Sequence, residues 1–222
     1  MDAFTLVDTF GVLSPQGAGY FTRKVKERVA KPLEIHFHTD FGLGVANTIM
    51  AVLEGAEVIH STVGGIGERC GNAPLEETAL ALLTLYGIDV GINYGKLNEL
   101  SRLVMDLAGL EVPGNRPFVG EKAYNVESGI VTNWYKNAFA ENPTTVFPVR
   151  PQFVGHTMPK IIMGKKSGVD NIAIWAQRLG LEIGDDQVMD ILAQVKRASH
   201  DLKRGLTGQE FTEIAQRVKT RK

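Results

Sequence analysis

The chain has 222 residues, 44% of them hydrophobic and 22% charged, with a formal net charge of −1, which is the balance of an ordinary globular chain with one large domain or a domain and an appendage. The scattered Lys and Arg leave no nucleic-acid footprint, and no apolar run approaches the roughly 18 residues that span a bilayer. One cysteine, Cys70, excludes an internal disulfide framework, and with no basic leader before an apolar run the expected location is cytoplasmic.

The first ninety residues repeat strand, turn and helix. The run AFTLVD (3–8) has β character and leads into a stretch with Phe21, Val25 and Val29 four apart, which predicts a helix with that row buried. LEIHFHTD (33–40) is a second strand, and its helix carries Val45, Ile49 and Val52 and stops at Gly55. EVIHSTV (57–63) is a third strand, followed by a glycine-rich loop and the helix LEETALALLTLYG. Asp8, His36 and Thr62 lie 28 and 26 residues apart, the period of consecutive βαβ units in a parallel sheet. Three strands do not close a barrel, which takes about 250 residues in full.

After Gly95 the rhythm stops. LNELSRLVMDLAGL predicts an amphipathic helix with Leu97, Leu100, Leu103, Val104 and Leu107 on its apolar face. Residues 110–165 are rich in Pro, Gly and Asn, and the rest reads as helices at NIAIWAQRLG, DDQVMDILAQVKRASHDLKRG and LTGQEFTEIAQRVK. Thr207 and Glu210 have the spacing of a capping box.

Side chains alternate along a strand, so Leu33, Ile35 and Phe37 share one face while Glu34, His36 and His38 share the other. The apolar set suits burial under helices. Two imidazoles about 6–7 Å apart along the backbone can converge on one ion, at the strand ends where α/β folds place their ligands. A lone histidine is more often a structural residue; a His-x-His pair followed by Asp40 favours a metal. The loop STVGGIGERCGNAPLEE (61–77) lacks the Lys-Ser/Thr of a phosphate-binding P-loop, but it brings Glu68, Arg69 and Asn72 to the same end of the sheet, where the Asn72 amide oxygen is a further candidate ligand.

LEIHFHTDFGLGVANT followed by HSTVGGIGERCGNAPLEE resembles the 2-isopropylmalate synthase and homocitrate synthase family of metal-dependent TIM barrels, also called pyruvate-carboxyltransferase-like or HMG-CoA-lyase-like. VDTFGVLSP, NRPFVGEKAYNVESGI and IIMGKKSG look like three more of its landmarks, in the family's order. The resemblance implies an α/β fold comprising the last three βα units of a barrel (1–92), a linker subdomain (93–165) and a helical subdomain (166–222). The family's first five strands, one of which carries an aspartate ligand, are expected to be missing, as in an N-terminally truncated or split member.

Carried over by position, the resemblance makes His36, His38 and Asn72 the metal ligands. Thr9 and Thr62 become substrate-binding residues of the 2-oxo acid pocket. Read from their places in the chain rather than from the resemblance, Asp40 and Glu68 are expected to orient the ligands. The resemblance implies a divalent ion (Mg, Mn or Zn) and acetyl-CoA as co-substrate, in a Claisen-type condensation with a 2-oxo acid. Where synthases carry His-Glu-Ser-Gly-Ile-His, this chain has Val126 and Val131 at the two histidine positions; a valine neither donates a hydrogen bond nor shuttles a proton, so the acid/base residue stays unassigned. The chain alone is therefore expected to be inactive. Two other readings stay open: a C–C lyase of the HMG-CoA lyase or aldolase type, and a non-catalytic chain that completes a barrel with a partner. Expected partners are a 2-oxo acid, an acyl-CoA and either a second copy or a complementing N-terminal chain. His60 reads as a packing residue inside the barrel, Cys70 as a small packing residue, and His156 and His200 as structural. KKSG (165–168) reads as a surface turn, a helix start or an anion holder, and the terminal VKTRK as a solvated helix end.

Overall fold

The structure is a computed structural model that describes residues 1–220. Arg221 and Lys222, the end of the VKTRK run, lie outside the described residues. The chain forms two compact units, Met1–Glu121 and Lys122–Lys222. The sequence drew three parts instead, with boundaries after residues 92 and 165.

In the first unit, β1 (Phe4–Asp8), β2 (Leu33–Phe37) and β3 (Val58–His60) form one parallel sheet in the order β1-β2-β3. Phe4 pairs with Leu33 and Asp8 with Phe37, while Glu34 pairs with Val58 and His36 with His60. Helices α1 (Pro15–Lys26), α2 (Gly44–Leu53) and α3 (Leu75–Tyr86) follow the strands in turn, and α4 (Leu97–Ala108) comes next. The alternation on β2 is as expected: Leu33, Ile35 and Phe37 are buried with Leu6, Ala18 and Ala51, while Glu34 and His36 are partly exposed. Each fully buried apolar side chain of this kind contributes about 1.5–3 kcal/mol.

Two helices turn differently from the periodicity. On α1 the buried residues are Ala18, Gly19 and Thr22, and Phe21 is exposed; the small face lets α1 approach α2, where a Cβ on Gly19 would already touch the Met50 side chain at 3.4 Å. On α4 the buried residues are Leu97, Asn98, Ser101 and Met105, with Leu103 and Leu107 exposed. Met105 is turned inward because its Cε lies against Gly64 of the glycine-rich loop, and that contact fixes the helix's rotation. The strands are also shorter than expected. After Phe37 and His60 the backbone leaves the ladder, and His38 and Thr62 instead make single bridges to Asn72 and Pro74.

The second unit holds β4 (Asn125–Val126) and β5 (Lys160–Ile161), a short parallel pair, with helices α5 (Gly129–Ala138), α6 (Val169–Leu179), α7 (Asp185–Leu202) and α8 (Gly208–Thr220). The sequence showed neither β4, β5 nor α5, because this segment has no apolar period: a single residue of α5, Thr132, is buried. The core is formed by Met163, Ile172, Ile191, Val195, Phe211 and Ile214. Trp175 packs edge-on against Phe211, and its indole N–H donates to the Ile161 carbonyl at 2.9 Å. The capping box of α8 forms as expected, with Glu210 N–H donating to Thr207 Oγ1 and Thr207 N–H to Glu210 Oε2.

Candidate metal centre

The polar face of β2 presents Glu34 and His36, and the chain then turns at His38. The His36 and His38 rings lie 5.2 Å apart between centroids, and His36 lies 5.7 Å from His60, its partner in the sheet register. His60 pairs with Glu34 Oε2 at 3.2 Å and is 40% exposed, so it stands in an open polar row rather than in packed surroundings. Glu34 also accepts from the Thr5 hydroxyl at 2.9 Å. Burial, and then the neighbouring His38 and His60, push the His36 pKa down, which keeps its imidazole neutral and able to bind a cation.

The glycine-rich loop folds back over this row. Thr39 N–H donates to Gly71 O at 2.9 Å, Ala73 N–H to Phe37 O at 3.2 Å, and Asn72 N–H to Gly65 O at 3.1 Å. These bonds bring the Asn72 amide to 3.0 Å from His36 Nε2. A flip of the amide turns its oxygen toward the ring at the same distance. Gly71 (φ +78°) admits no side chain, because a Cβ there would stand 1.8 Å from Gly65 O. Glu76, at the start of α3 and fully buried, takes the Gly64 N–H with both carboxylate oxygens at 3.0 and 2.9 Å. The sequence did not single out Glu76; the clue was an acidic residue in the first helical turn behind a loop with free N–H groups.

Of the candidate residues, His36, His38 and Asn72 come together, and Asp40 and Glu68 both meet Arg69. The Asp40 carboxylate accepts from Arg69 Nε at 2.8 Å and Nη2 at 3.1 Å, which holds its pKa below the usual range. It holds Arg69 rather than orienting a histidine ring. Glu68 is exposed and meets Arg69 Nη1 at 3.8 Å. Arg69 also donates to the Thr9 carbonyl at 2.5 Å and lies 5.5 Å over the Phe10 ring, so it ties the ends of all three strands together. Thr9 is exposed and engages through its backbone, whereas Thr62 Oγ1 is buried without a hydrogen-bond partner.

Two imidazoles and an amide suit a divalent ion, and His38 Nδ1 is buried with no partner of its own. The residues therefore fit a metal, but as a partial set: among the described residues no three His, Cys, Asp or Glu side chains converge on one point. Val126 and Val131 lie in the second unit, the first buried in β4 and the second on α5.

One group beneath the loop titrates near neutrality. Burial pushes the Glu77 carboxyl up to about 7, although Arg116 Nε stands 2.9 Å away. The folded state therefore holds the Glu77 proton to higher pH than the unfolded chain does, and stability falls as pH rises from about 4.5 through about 7. The expected slope approaches 1.4 kcal/mol per pH unit at its steepest. Urea unfolding of wild type and Glu77→Gln between pH 5 and 8 checks this, with a flatter profile for the variant.

A parallel βα repeat with a histidine-and-amide cluster at its strand ends defines an α/β protein with a candidate metal site. The HMGL-like family profile matches residues 1–104, and a homocitrate synthase post-HMGL domain-like profile matches residues 118–204. Homocitrate synthase AksA of Methanopyrus kandleri is 41% identical over 98% of this chain and 53% of its own length. (R)-citramalate synthase CimA of Methanocaldococcus jannaschii is 39% identical over 98% of this chain and 43% of its own. A solved HMG-CoA lyase structure from Acenitobacter baumannii, in complex with coenzyme A and 3-methylmalate, is 30% identical with a TM-score of 0.44, over 49% of this chain and 38% of that one. The chain spans about half the length of the curated relatives it matches.

Proposed function

We propose that this chain is part of a metal-dependent acyltransferase that condenses acetyl-CoA with a 2-oxo acid, its first unit contributing three consecutive βα units to a TIM-type barrel. The convergence of His36, His38 and Asn72 at parallel strand ends carries this reading, in a chain about 40% identical to a homocitrate synthase and a citramalate synthase. A divalent ion held by these residues would supply Lewis-acid polarisation of the oxo acid's carbonyl. The chain's own part is to present the His36 and His38 imidazoles, to hold the Asn72 amide through the loop pinned by Glu76, and to fix the strand ends through Arg69. The Thr62 hydroxyl is left for a ligand oxygen.

Val126 and Val131 favour a second reading, in which the chain binds the oxo acid and metal without the acyl-CoA half of the chemistry. Loss of a general acid/base group typically costs 10²–10⁴ in rate. A thiol-release assay with Mg, Mn and Zn on a panel of 2-oxo acids separates the two. The 222-residue chain alone is expected to release no CoA, and addition of a segment supplying five further βα units is expected to give metal-dependent release. Robust turnover by the chain alone would show that other residues carry the chemistry. A complemented barrel that binds metal and oxo acid without releasing CoA would favour the second reading.

A further inference from the structure

Charge is divided unevenly between the units. Residues 1–121 hold nine Lys and Arg against fifteen Asp and Glu, while residues 122–222 hold fifteen against ten. Part of the positive excess lines an open cleft of about 750 Å³ in the second unit, within the roughly 300–1,000 Å³ of small-molecule sites.

Lys122, Lys166, Lys203 and Arg204 line this cleft with one carboxylate, Glu127, and Val131 and Ile162 form apolar wall. Arg204 is already held by both oxygens of Glu210, at 2.9 and 2.7 Å. Glu127 accepts the Lys166 backbone N–H at 3.0 Å. The three lysine ammonium groups have no ion-pair or hydrogen-bond partner among the described residues. Set against Glu127, they leave a net charge of about two facing the cleft, which favours an anion.

The backbone supplies a second observation. Helices α3, α4 and α6 end in a left-handed residue that is Gly each time: Gly87, Gly109 and Gly180. Helix α7 ends the same way, but on Lys203, with φ +55°. A Cβ is disfavoured in that conformation, and this side chain is exposed, so packing gives no compensation. Backbone strain of this kind concentrates at ligand sites. The turn carrying Lys166 is braced from below: Ser167 Oγ accepts the Gly164 N–H at 2.8 Å and donates to Ile162 O at 3.3 Å, and the Lys165 N–H goes to Ser199 Oγ at 3.1 Å. The turn's donors are engaged internally, and the ammonium groups remain for a ligand.

We propose that this cleft binds the diphosphate group of a small-molecule phosphate ester, with Lys122, Lys166 and Lys203 around the anionic groups and Val131 and Ile162 against the ester's neutral body. The site is independent of the metal reading in the first unit, and inorganic pyrophosphate probes it directly. Calorimetric titration of the full chain is expected to show pyrophosphate binding that weakens about tenfold in Lys166→Gln and in Lys203→Gly, the loss of one charge-assisted contact each. Lys196→Gln, on an exposed position of α7 outside the cleft, should stay within about twofold. Lys203→Gly should also melt at the same temperature as wild type or higher, a combination that a merely structural lysine does not produce. ADP and coenzyme A share the diphosphate group, and the tighter of the two identifies the source of the ester. No pyrophosphate binding up to about 10 mM, unchanged affinity in the two cleft variants, or equal weakening by Lys196→Gln would each overturn the proposal.

Discussion

Replacement of His36 or His38 by Ala is expected to weaken divalent-ion binding beyond the roughly 10–100-fold that loss of an outer partner costs, because each removes a direct ligand from a partial set. The apo form of His36→Ala should unfold almost as the wild type does, since His36 is only partly buried and its described contacts are Asn72 and two neighbouring rings. Asn72→Ala should lose affinity as well, whereas Asn72→Asp keeps an oxygen at the same position and adds the negative charge that the described cluster lacks. It is expected to bind Mn or Zn at least as tightly as wild type. Calorimetry on the four variants decides the matter: equal affinity in wild type, His36→Ala and His38→Ala would remove the pair from the site.

The second large effect is expected at Gly71. In Gly71→Ala the new methyl would meet the Gly65 carbonyl at 1.8 Å, and φ is +78°. A left-handed alanine alone costs about 1–2 kcal/mol. The clash adds to this because the opposing atom is backbone, bound in turn to Asn72 N–H. A loss of about 3 kcal/mol or more is expected, and metal affinity should fall with it as Asn72 is displaced. Gly87→Ala is the matched comparison, because φ is +68° there and nothing lies within 4 Å of the added carbon. It should cost only the conformational part, about 1 kcal/mol, and leave metal binding intact. Urea unfolding and metal titration of both variants separate the two contributions.

Much of this architecture was legible in the chain itself. The 28- and 26-residue spacing of Asp8, His36 and Thr62 anticipated three parallel neighbouring strands, because a βαβ unit needs a nearly constant length to return to the sheet. Alternation on Leu33–Phe37 separated the buried face from the histidine face, since a strand has only two. The capping box at Thr207 and Glu210 was readable because all its bonds are local.

What tertiary structure decided were the choices among equally apolar or equally charged partners. Helix α4 offers a leucine row, yet it buries Met105, because a flexible thioether fits against a loop with no side chain at Gly64. Asp40 was placed beside the histidines by sequence proximity, but Arg69, twenty-nine residues away in the chain, takes its carboxylate with two hydrogen bonds. The first-turn position of Glu76 was the one local clue to its role, but its full burial was not readable, because its partner is the backbone N–H of a loop residue twelve positions earlier. The lysines of the second unit's cleft come from three separated stretches of chain, and only folding brings Lys122, Lys166 and Lys203 to one surface. Local rules act through spacing of a few residues and are written in the sequence. Long-range pairing depends on which backbone segments the sheet and helices bring within about 3 Å of one another, and that is settled only when the chain packs.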